Sequence, residues 1–247
     1  MALFEAKGLH KRFGHQVVLE RIDLAFEEGG LFGIMGPNGA GKTTCFNLLT
    51  GRFRPDRGRI LFDGRDITGL PPRRIAALGV ARSFQLMNLF DDFTVLENVL
   101  MALPRTRARR FDPWSDLLRD RSGVEEAQGV LAQVGLAGRA RERAKDLAYG
   151  ERRALEIAVA LAARPRILFL DEPTAGLGTQ GTARIRELIE HLKAGLTVVV
   201  IEHDMRFLFG LADRISVIHW GQVIAQGTPA ELMANAWVRR SDLGAAA

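Results

Sequence analysis

Three observations predict an α/β fold with a mostly parallel sheet. Short apolar runs of strand type at 31–35, 166–170 and 196–201 alternate with stretches whose apolar residues recur at helical spacing. The last two runs stop abruptly on polar groups, Asp171-Glu172-Pro173 and Glu202-His203-Asp204, and the first runs into the nine residues GPNGAGKTT. Parallel sheets carry their sites at the carboxyl ends of their strands, where these groups would gather.

Taken in order, residues 3–26 alternate strand-like segments with turns around Phe13-Gly14 and before Gly29-Gly30. The strand LFGIM (31–35) leads into the glycine-rich segment, and a helix over 43–49 ends at Gly51. Residues 54–68 hold a turn, a strand at 59–62 and a second turn at Asp63-Gly64, a hairpin-like arrangement. Pro71-Pro72 opens a helix that stops near Gly79, and VARSFQ (80–85) reads as a strand ending on a polar residue. A helix-rich region follows. Thr94 with Glu97 three residues on forms a capping box for a helix over 94–102. Residues 124–134 are amphipathic, and a helix at 151–163 is stopped by Pro165. After the strand at 166–170 come an amphipathic helix at 182–193 and the strand at 196–201. A terminal hairpin turns at Trp220-Gly221, followed by a helix near 229–234. Repeats, low-complexity tracts and flexible linkers are absent from the sequence.

Composition narrows the class. The chain has 247 residues, 47% hydrophobic and 26% charged, ordinary for a globular domain. None of its apolar runs approaches the roughly 18 residues that span a bilayer, and MALFEAKGLHKRF is too mixed for a secretory signal. A single cysteine, Cys45, rules out an internal disulfide and fits a reducing compartment; its place suits a small core residue on a helix. The net charge of +5 is compatible with an anionic partner. The arginines at 105–121, however, are interleaved with acids and lack a series of aromatic stackers, so no nucleic acid is expected.

The chemistry starts at residues 36–44. Gly36, Gly41, Lys42 and Thr43 satisfy G-x-x-x-x-G-K-[ST], the phosphate-binding loop. Wrapping a triphosphate so that backbone N–H groups meet its oxygens requires residues without a Cβ. Pro37, Asn38, Gly39 and Ala40 complete the loop, and Thr44 follows at the helix N-terminus, where the dipole favours anions. Lys42 would reach the β- and γ-phosphates and the Thr43 hydroxyl would ligate Mg²⁺. Phosphoryl transfer also needs one acid for the metal and one for the attacking water. Asp171, first after its strand, suits the metal; Glu172 suits the water. His203 could donate to the γ-phosphate, and Gln85 could bridge Mg²⁺ and the water. Phe13 could stack on an adenine ring or belong to the core; spacing leaves both open.

The order Phe13, GPNGAGKTT, Gln85, LAYGE (147–151), RILFLDEP (166–173), AGLG (175–178) and His203 resembles the nucleotide-binding subunit of an ABC transporter over nearly the whole chain. The LAYG form of the signature, together with SFQ, TVLENV and IEHDM, is similar to the ATP-binding subunits of branched-chain amino acid importers. The resemblance implies one nucleotide-binding domain over 1–247. Its P-loop NTPase (RecA-like) core, with an N-terminal antiparallel β subdomain, would comprise 1–85 and 159–230; a helical insertion would cover 86–158 and a tail 231–247. It implies ATP and Mg²⁺ as ligands, and a homo- or heterodimer in which two copies sandwich two ATP molecules head to tail. Ala148, Tyr149, Gly150 and Glu151 of one copy would then meet the γ-phosphate held by the other. It further implies transmembrane permease subunits as partners, a solute-binding protein indirectly, and a place at the cytoplasmic face of the membrane. Phe13 stands where relatives carry Tyr, Ala148 where most carry Ser, and Gly178 where Asp or Asn is frequent. The missing hydroxyl at 148 removes about 0.5–1.5 kcal/mol of contact. Soluble ABC-type ATPases of DNA repair need coiled-coil insertions or tandem cassettes, which 247 residues cannot hold. A non-hydrolysing module would show a damaged carboxylate pair, whereas Glu172 is present. The alternative is an ABC transporter for another cargo, an amide- or urea-type solute or lipid or polysaccharide for export.

Overall fold

The computed structural model describes residues 2–83, 89–104, 106, 117–235 and 238. Ten strands join one sheet in the order β5-β4-β1-β2-β10-β9-β3-β8-β7-β6. Its central part, β9 (Arg214–His219), β3 (Leu31–Met35), β8 (Thr197–Ile201), β7 (Ile167–Asp171) and β6 (Val80–Arg82), is parallel throughout. β3, β7 and β8 are buried at every residue, which explains why each reads as an unbroken apolar run. The other part, β1 (Ala2–Phe13), β2 (Gln16–Glu27), β4 (Arg57–Phe62) and β5 (Arg65–Asp66), pairs antiparallel and alternates buried with exposed side chains along β2. The terminal hairpin welds the two. β10 (Gln222–Gly227) pairs antiparallel with β9 and meets β2 in parallel through Gln222 and Arg21.

Helix α1 (Lys42–Leu49) follows β3, α2 (Pro72–Ala77) precedes β6, and α3 (Val95–Ala102) starts at the expected Thr94–Glu97 capping box. Then come α4 (Arg121–Gln133), α5 (Tyr149–Leu161), α6 (Thr179–Leu192), α7 (Met205–Phe209) and α8 (Pro229–Ala234). Two boundaries differ from the sequence reading in ways that matter. β7 runs one residue further and includes Asp171, because its ladder with β8 continues to Ile201. Helix α5 starts at Tyr149 instead of 151, since the Glu151 carboxylate accepts the Ala148 N–H and closes the first turn two residues earlier. Helix α7 is an addition: Asp204 caps it by accepting from the Phe207 N–H.

Two apolar cores lie on opposite faces of the sheet. One packs α3, α4, α5 and α6 against Leu168, Leu170, Val198 and Val200. The other is aromatic: Phe4 meets Phe169 edge-on at 5.2 Å, and Phe169 meets Phe46 of α1 at 6.4 Å. Strand periodicity puts Asp171 on the same face as Phe169. The contact that seats α1 on β7 therefore also turns Asp171 toward the N-terminus of α1.

Candidate functional site

Residues 36–44 form a loop between β3 and α1, and close approaches decide its shape. A Cβ on Gly36 would lie 2.1 Å from the Ile218 carbonyl oxygen. Gly41, the N-cap of α1, has φ +101° and a Cβ there would meet Leu19 at 2.6 Å. Only glycine fits either place. Lys42 is 6% exposed and donates from Nζ to the carbonyls of Gly36 (2.7 Å) and Pro37 (3.0 Å). Burial holds its pKa below the usual lysine range, partly opposed by Glu172, Asp171 and Glu202. Asn38, Gly39 and Thr43 are exposed, while Ala40 is buried and bonded through its carbonyl to the Gly221 N–H. Thr44 is half-buried and Cys45 fully buried, its thiol pushed up to about 12 by burial.

The carboxylates sit one strand away. Asp171 is 4% exposed, and burial followed by the neighbouring Glu172 charge raises its pKa to about 6. Glu172 adopts φ +43°, unusual for a residue with a side chain, and its N–H is bound by the Ile201 carbonyl. Its carboxylate lies 3.6 Å from Nδ1 of the half-exposed His203. The glycine loop, Asp171, Glu172 and His203 thus converge at the carboxyl ends of β3, β7 and β8. A cleft of about 800 Å³ opens beside them, lined by Thr43, Arg82 and Asp171 among others.

Three groups of expected site residues stand elsewhere. Phe13 is 45% exposed and packs edge-on against Phe53 at 5.4 Å, with Lys11 over its ring, so its platform is half open. Ala148, Tyr149, Gly150 and Glu151 form the N-terminus of α5. Tyr149 donates to the Ala175 carbonyl at 3.4 Å, and Glu151 lies 3.5 Å from Arg139. Among the described residues, no hydrogen bond or ion pair joins this segment to residues 36–44 of the same chain. Gln85 lies outside the described residues.

Sequence reasoning missed the residues that hold the Glu172 turn. Arg153, buried in α5, donates to the carbonyls of Asp171 (2.7 Å), Glu172 (3.0 Å) and Pro173 (3.4 Å) and pairs with the buried Glu156 at 2.5 Å. Glu202, wholly buried, accepts from the Thr174 N–H and hydroxyl. The buried Ser83 accepts the Asp171 N–H at 3.3 Å. The one available signal was a pair of charges, Arg153 and Glu156, on the apolar face of a helix that burial should have excluded.

Both ligands expected from the sequence fit what is here. Gly36 and Gly41 leave no room for a Cβ, so the backbone takes a path open only to glycine, and the loop precedes a helix N-terminus. Among the described residues there is no cluster of three His, Cys, Asp or Glu side chains to hold a metal unaided. One carboxylate, Asp171, and one hydroxyl, Thr43, suit Mg²⁺, which binds protein through one or two groups and takes the remainder from phosphates and water.

Comparison with known proteins agrees. The chain is 40% identical over 253 residues to the high-affinity branched-chain amino acid transport ATP-binding protein LivG of Salmonella typhimurium, covering 99% of this chain and 98% of that one. Its identity to the corresponding BraF protein of Pseudomonas aeruginosa is 41% over 251 residues, with 99% and 98% covered. A solved ATP-binding cassette of an ABC transporter in its ADP conformation superposes with a TM-score of 0.84 at 29% identity, covering 96% of this chain and 97% of that one. A dimeric cassette in a post-hydrolysis state, bound to ADP and Pi, gives a TM-score of 0.76 at 26% identity, with 92% and 98% covered. Residues 19–175 match the family described as ABC transporter, and the chain belongs to that family.

Proposed function

We propose that this chain is the ATP-hydrolysing subunit of a membrane importer for branched-chain or other hydrophobic amino acids, working as a dimer at the cytoplasmic face of the membrane. The observation that carries the proposal is the convergence of Lys42, Asp171, Glu172 and His203 at one sheet edge beside a glycine cradle. The cargo rests on the 40–41% identity to amino acid transport proteins. A lipopolysaccharide export protein of Acidithiobacillus ferridurans, at 35%, supports export as the second reading. Among the described residues no helix is long and apolar enough to cross a membrane, so transmembrane permease subunits would supply the path, with a solute-binding protein upstream.

Each group has a distinct task. Backbone N–H groups of Gly39 and Gly41 and the N-terminus of α1 bind the phosphates, and Phe13 presents its open face to the adenine. Lys42 exchanges its two loop carbonyls for phosphate oxygens, a stronger partner for a buried ammonium. Thr43 and Asp171 would hold Mg²⁺, with Gln85 as a further ligand. When bound, Mg²⁺ neutralises charge on the β- and γ-phosphates. Glu172 orients the attacking water and takes up its proton, while His203 donates to the γ-phosphate. The division into 1–85 with 159–230, 86–158 and 231–247 belongs to this proposal. So does the role of Ala148, Tyr149, Gly150 and Glu151, which meet the γ-phosphate of the partner's nucleotide. Their separation from the phosphate loop within one chain supports completion in trans.

Two substitutions test the reading. Glu172→Gln keeps ATP binding and lowers phosphate release at least about a hundredfold, trapping a closed dimer. Lys42→Ala, by contrast, abolishes binding seen by calorimetry. In the Glu172→Gln background, cysteines placed by Asn38→Cys and Tyr149→Cys crosslink between chains when ATP is added; crosslinks that never form sink the dimer. Co-purification of the permease, followed by assay of its solute-binding protein against leucine, decides the cargo.

A further inference from the structure

Glu202 is the residue before His203, and its side chain is 0% exposed, although nothing so far requires a carboxylate there. Three donors converge on it, and Nδ1 of the His203 ring lies 3.7 Å from its Oε2. Oε1 accepts the Thr174 N–H at 3.1 Å and the Thr174 hydroxyl at 2.5 Å, while Oε2 accepts the His203 N–H at 3.3 Å. A carboxylate, which only accepts, matches three converging donors better than any other side chain of this length. Burying it next to Asp171 and Glu172 adds a third negative charge to one site, an arrangement a plain structural filler would avoid.

The covalent neighbours of these contacts give them meaning. Thr174 lies two residues beyond Glu172, whose left-handed backbone must be held by its surroundings. Arg153 grips that turn from the α5 side through three carbonyls, and Glu202 grips it from the β8 side through Thr174. At its other end, Glu202 is bonded to the backbone of His203 itself. We propose that Glu202 is a positioning residue: its buried carboxylate ties the Thr174 turn to His203 and so sets the approach of Glu172 to His203 for hydrolysis. This rests on the reading that Glu172 and His203 act in hydrolysis. Glu202 touches neither nucleotide nor water; it acts through the two segments it joins. The backbone of the phosphate loop is braced separately by α1 and the β9–β10 turn, and the Glu202 side chain reaches Lys42 only through its charge, so nucleotide binding depends on it far less than hydrolysis does.

The test is a separation of kcat from KM in the full-length subunit, with ATP affinity and melting temperature measured alongside. Glu202→Ala lowers kcat about ten- to a hundredfold, with ATP Kd and KM held within about threefold of wild type. Thr174→Val, which keeps the N–H contact, lowers kcat about three- to tenfold, and Thr174→Ser recovers at least half of the wild-type rate. The double variant Glu202→Ala with Thr174→Val is no slower than Glu202→Ala alone, since both remove the same tie. If Glu202→Ala does not fold, Thr174→Val against Thr174→Ser carries the decision. Full kcat in Thr174→Val and Glu202→Ala, or kcat loss matched by weakened ATP binding, overturns the proposal. Glu172→Gln separates the two readings. Turnover retained in that variant defeats the hydrolysis assignment, whereas an inactive Glu172→Gln beside a fully active Glu202→Ala defeats only the tie.

Discussion

The phosphate loop and the Glu172 turn lie at the same sheet edge, yet opposite means hold them. At residues 36–44 the backbone itself is the working part, shaped by the absence of side chains: Gly36 presses on the Ile218 carbonyl and Gly41 on Leu19. At residues 171–174 a side-chain carboxylate is the working part, and the backbone beneath it is strained, with Glu172 at φ +43°. That strain is held by a buried arginine on one side and a buried glutamate on the other. A binding cradle can be made by steric exclusion, here against Ile218 and Leu19. Aiming the Glu172 carboxylate takes polar contacts from distant parts of the chain.

The sharpest way to break the first half of this comparison is Gly36→Ala. Its Cβ would sit 2.1 Å from a backbone oxygen of β9, which cannot yield without tearing the β3–β9 ladder. The expected loss exceeds about 4 kcal/mol, read as failure to fold or as a drop in denaturant midpoint with nucleotide binding gone. A soluble variant that binds ATP normally would show that the loop tolerates far more backbone adjustment than its contacts indicate.

For the second half, Arg153→Met removes a guanidinium while leaving the Glu156 carboxylate buried at 5% exposure. Breaking a buried pair in this way costs about 3–5 kcal/mol, and Glu172 also loses the carbonyl contact that holds its turn. Replacing both partners, Arg153→Met with Glu156→Leu, should restore part of the stability, because the carboxylate no longer sits buried without the guanidinium. Activity should stay low in both variants. Urea denaturation and phosphate release measured together separate the two effects.

This contrast also explains what could be read from the sequence. The phosphate loop, the Thr94–Glu97 capping box and the apolar strands were legible because each leaves a local pattern of residue types, even where distant groups such as Ile218 shape it. The LAYGE segment was legible as a motif, though its helix starts at Tyr149, earlier than periodicity indicates, since the Glu151 cap is a side-chain contact. The supports of the Glu172 turn were not legible. Arg153 precedes its carbonyl partners by about 20 positions, and Glu202 follows Thr174 by 28. No local pattern announces such pairings. The continuity of the ten-stranded sheet was hidden for the same reason, because its weld is one parallel contact between Gln222 and Arg21.

Asp171 allows the comparison to be sharpened by pH. Burial raises its pKa to about 6 in the folded chain, against 3.8 in its unperturbed state. Between those values the native state binds more protons than the unfolded one, so metal-free stability falls as pH rises through this window. Below pH 4 both states are protonated and the penalty is absent; above 6 it is complete, about 2–3 kcal/mol. Asp171→Asn in the metal-free protein should therefore be the more stable form at pH 8 by about that amount, with the advantage fading toward pH 4. Equal gains at both pH values would mean that charge is not what burial penalises here.

The smallest effect belongs to the turn that braces the phosphate loop from outside. Trp220 and Gly221 form the two-residue connection between β9 and β10, with φ +46° and +73°, and the Gly221 N–H binds the Ala40 carbonyl. Paired positive φ values in a two-residue hairpin favour Asn-Gly, whereas a bulky tryptophan, 83% exposed here, gains little from burial in return. Trp220→Asn should stabilise the chain by about 0.5–1 kcal/mol, raising the melting temperature by about 1–4 °C. ATP affinity should be unchanged, since the Gly221 contact to Ala40 is a backbone one and survives the substitution. A fall in melting temperature would instead show that the Trp220 ring, tilted against His219 with centroids 4.4 Å apart, contributes more than its strained backbone costs. The hairpin that carries the Gly221 contact would then depend on a side chain, as the Glu172 turn does.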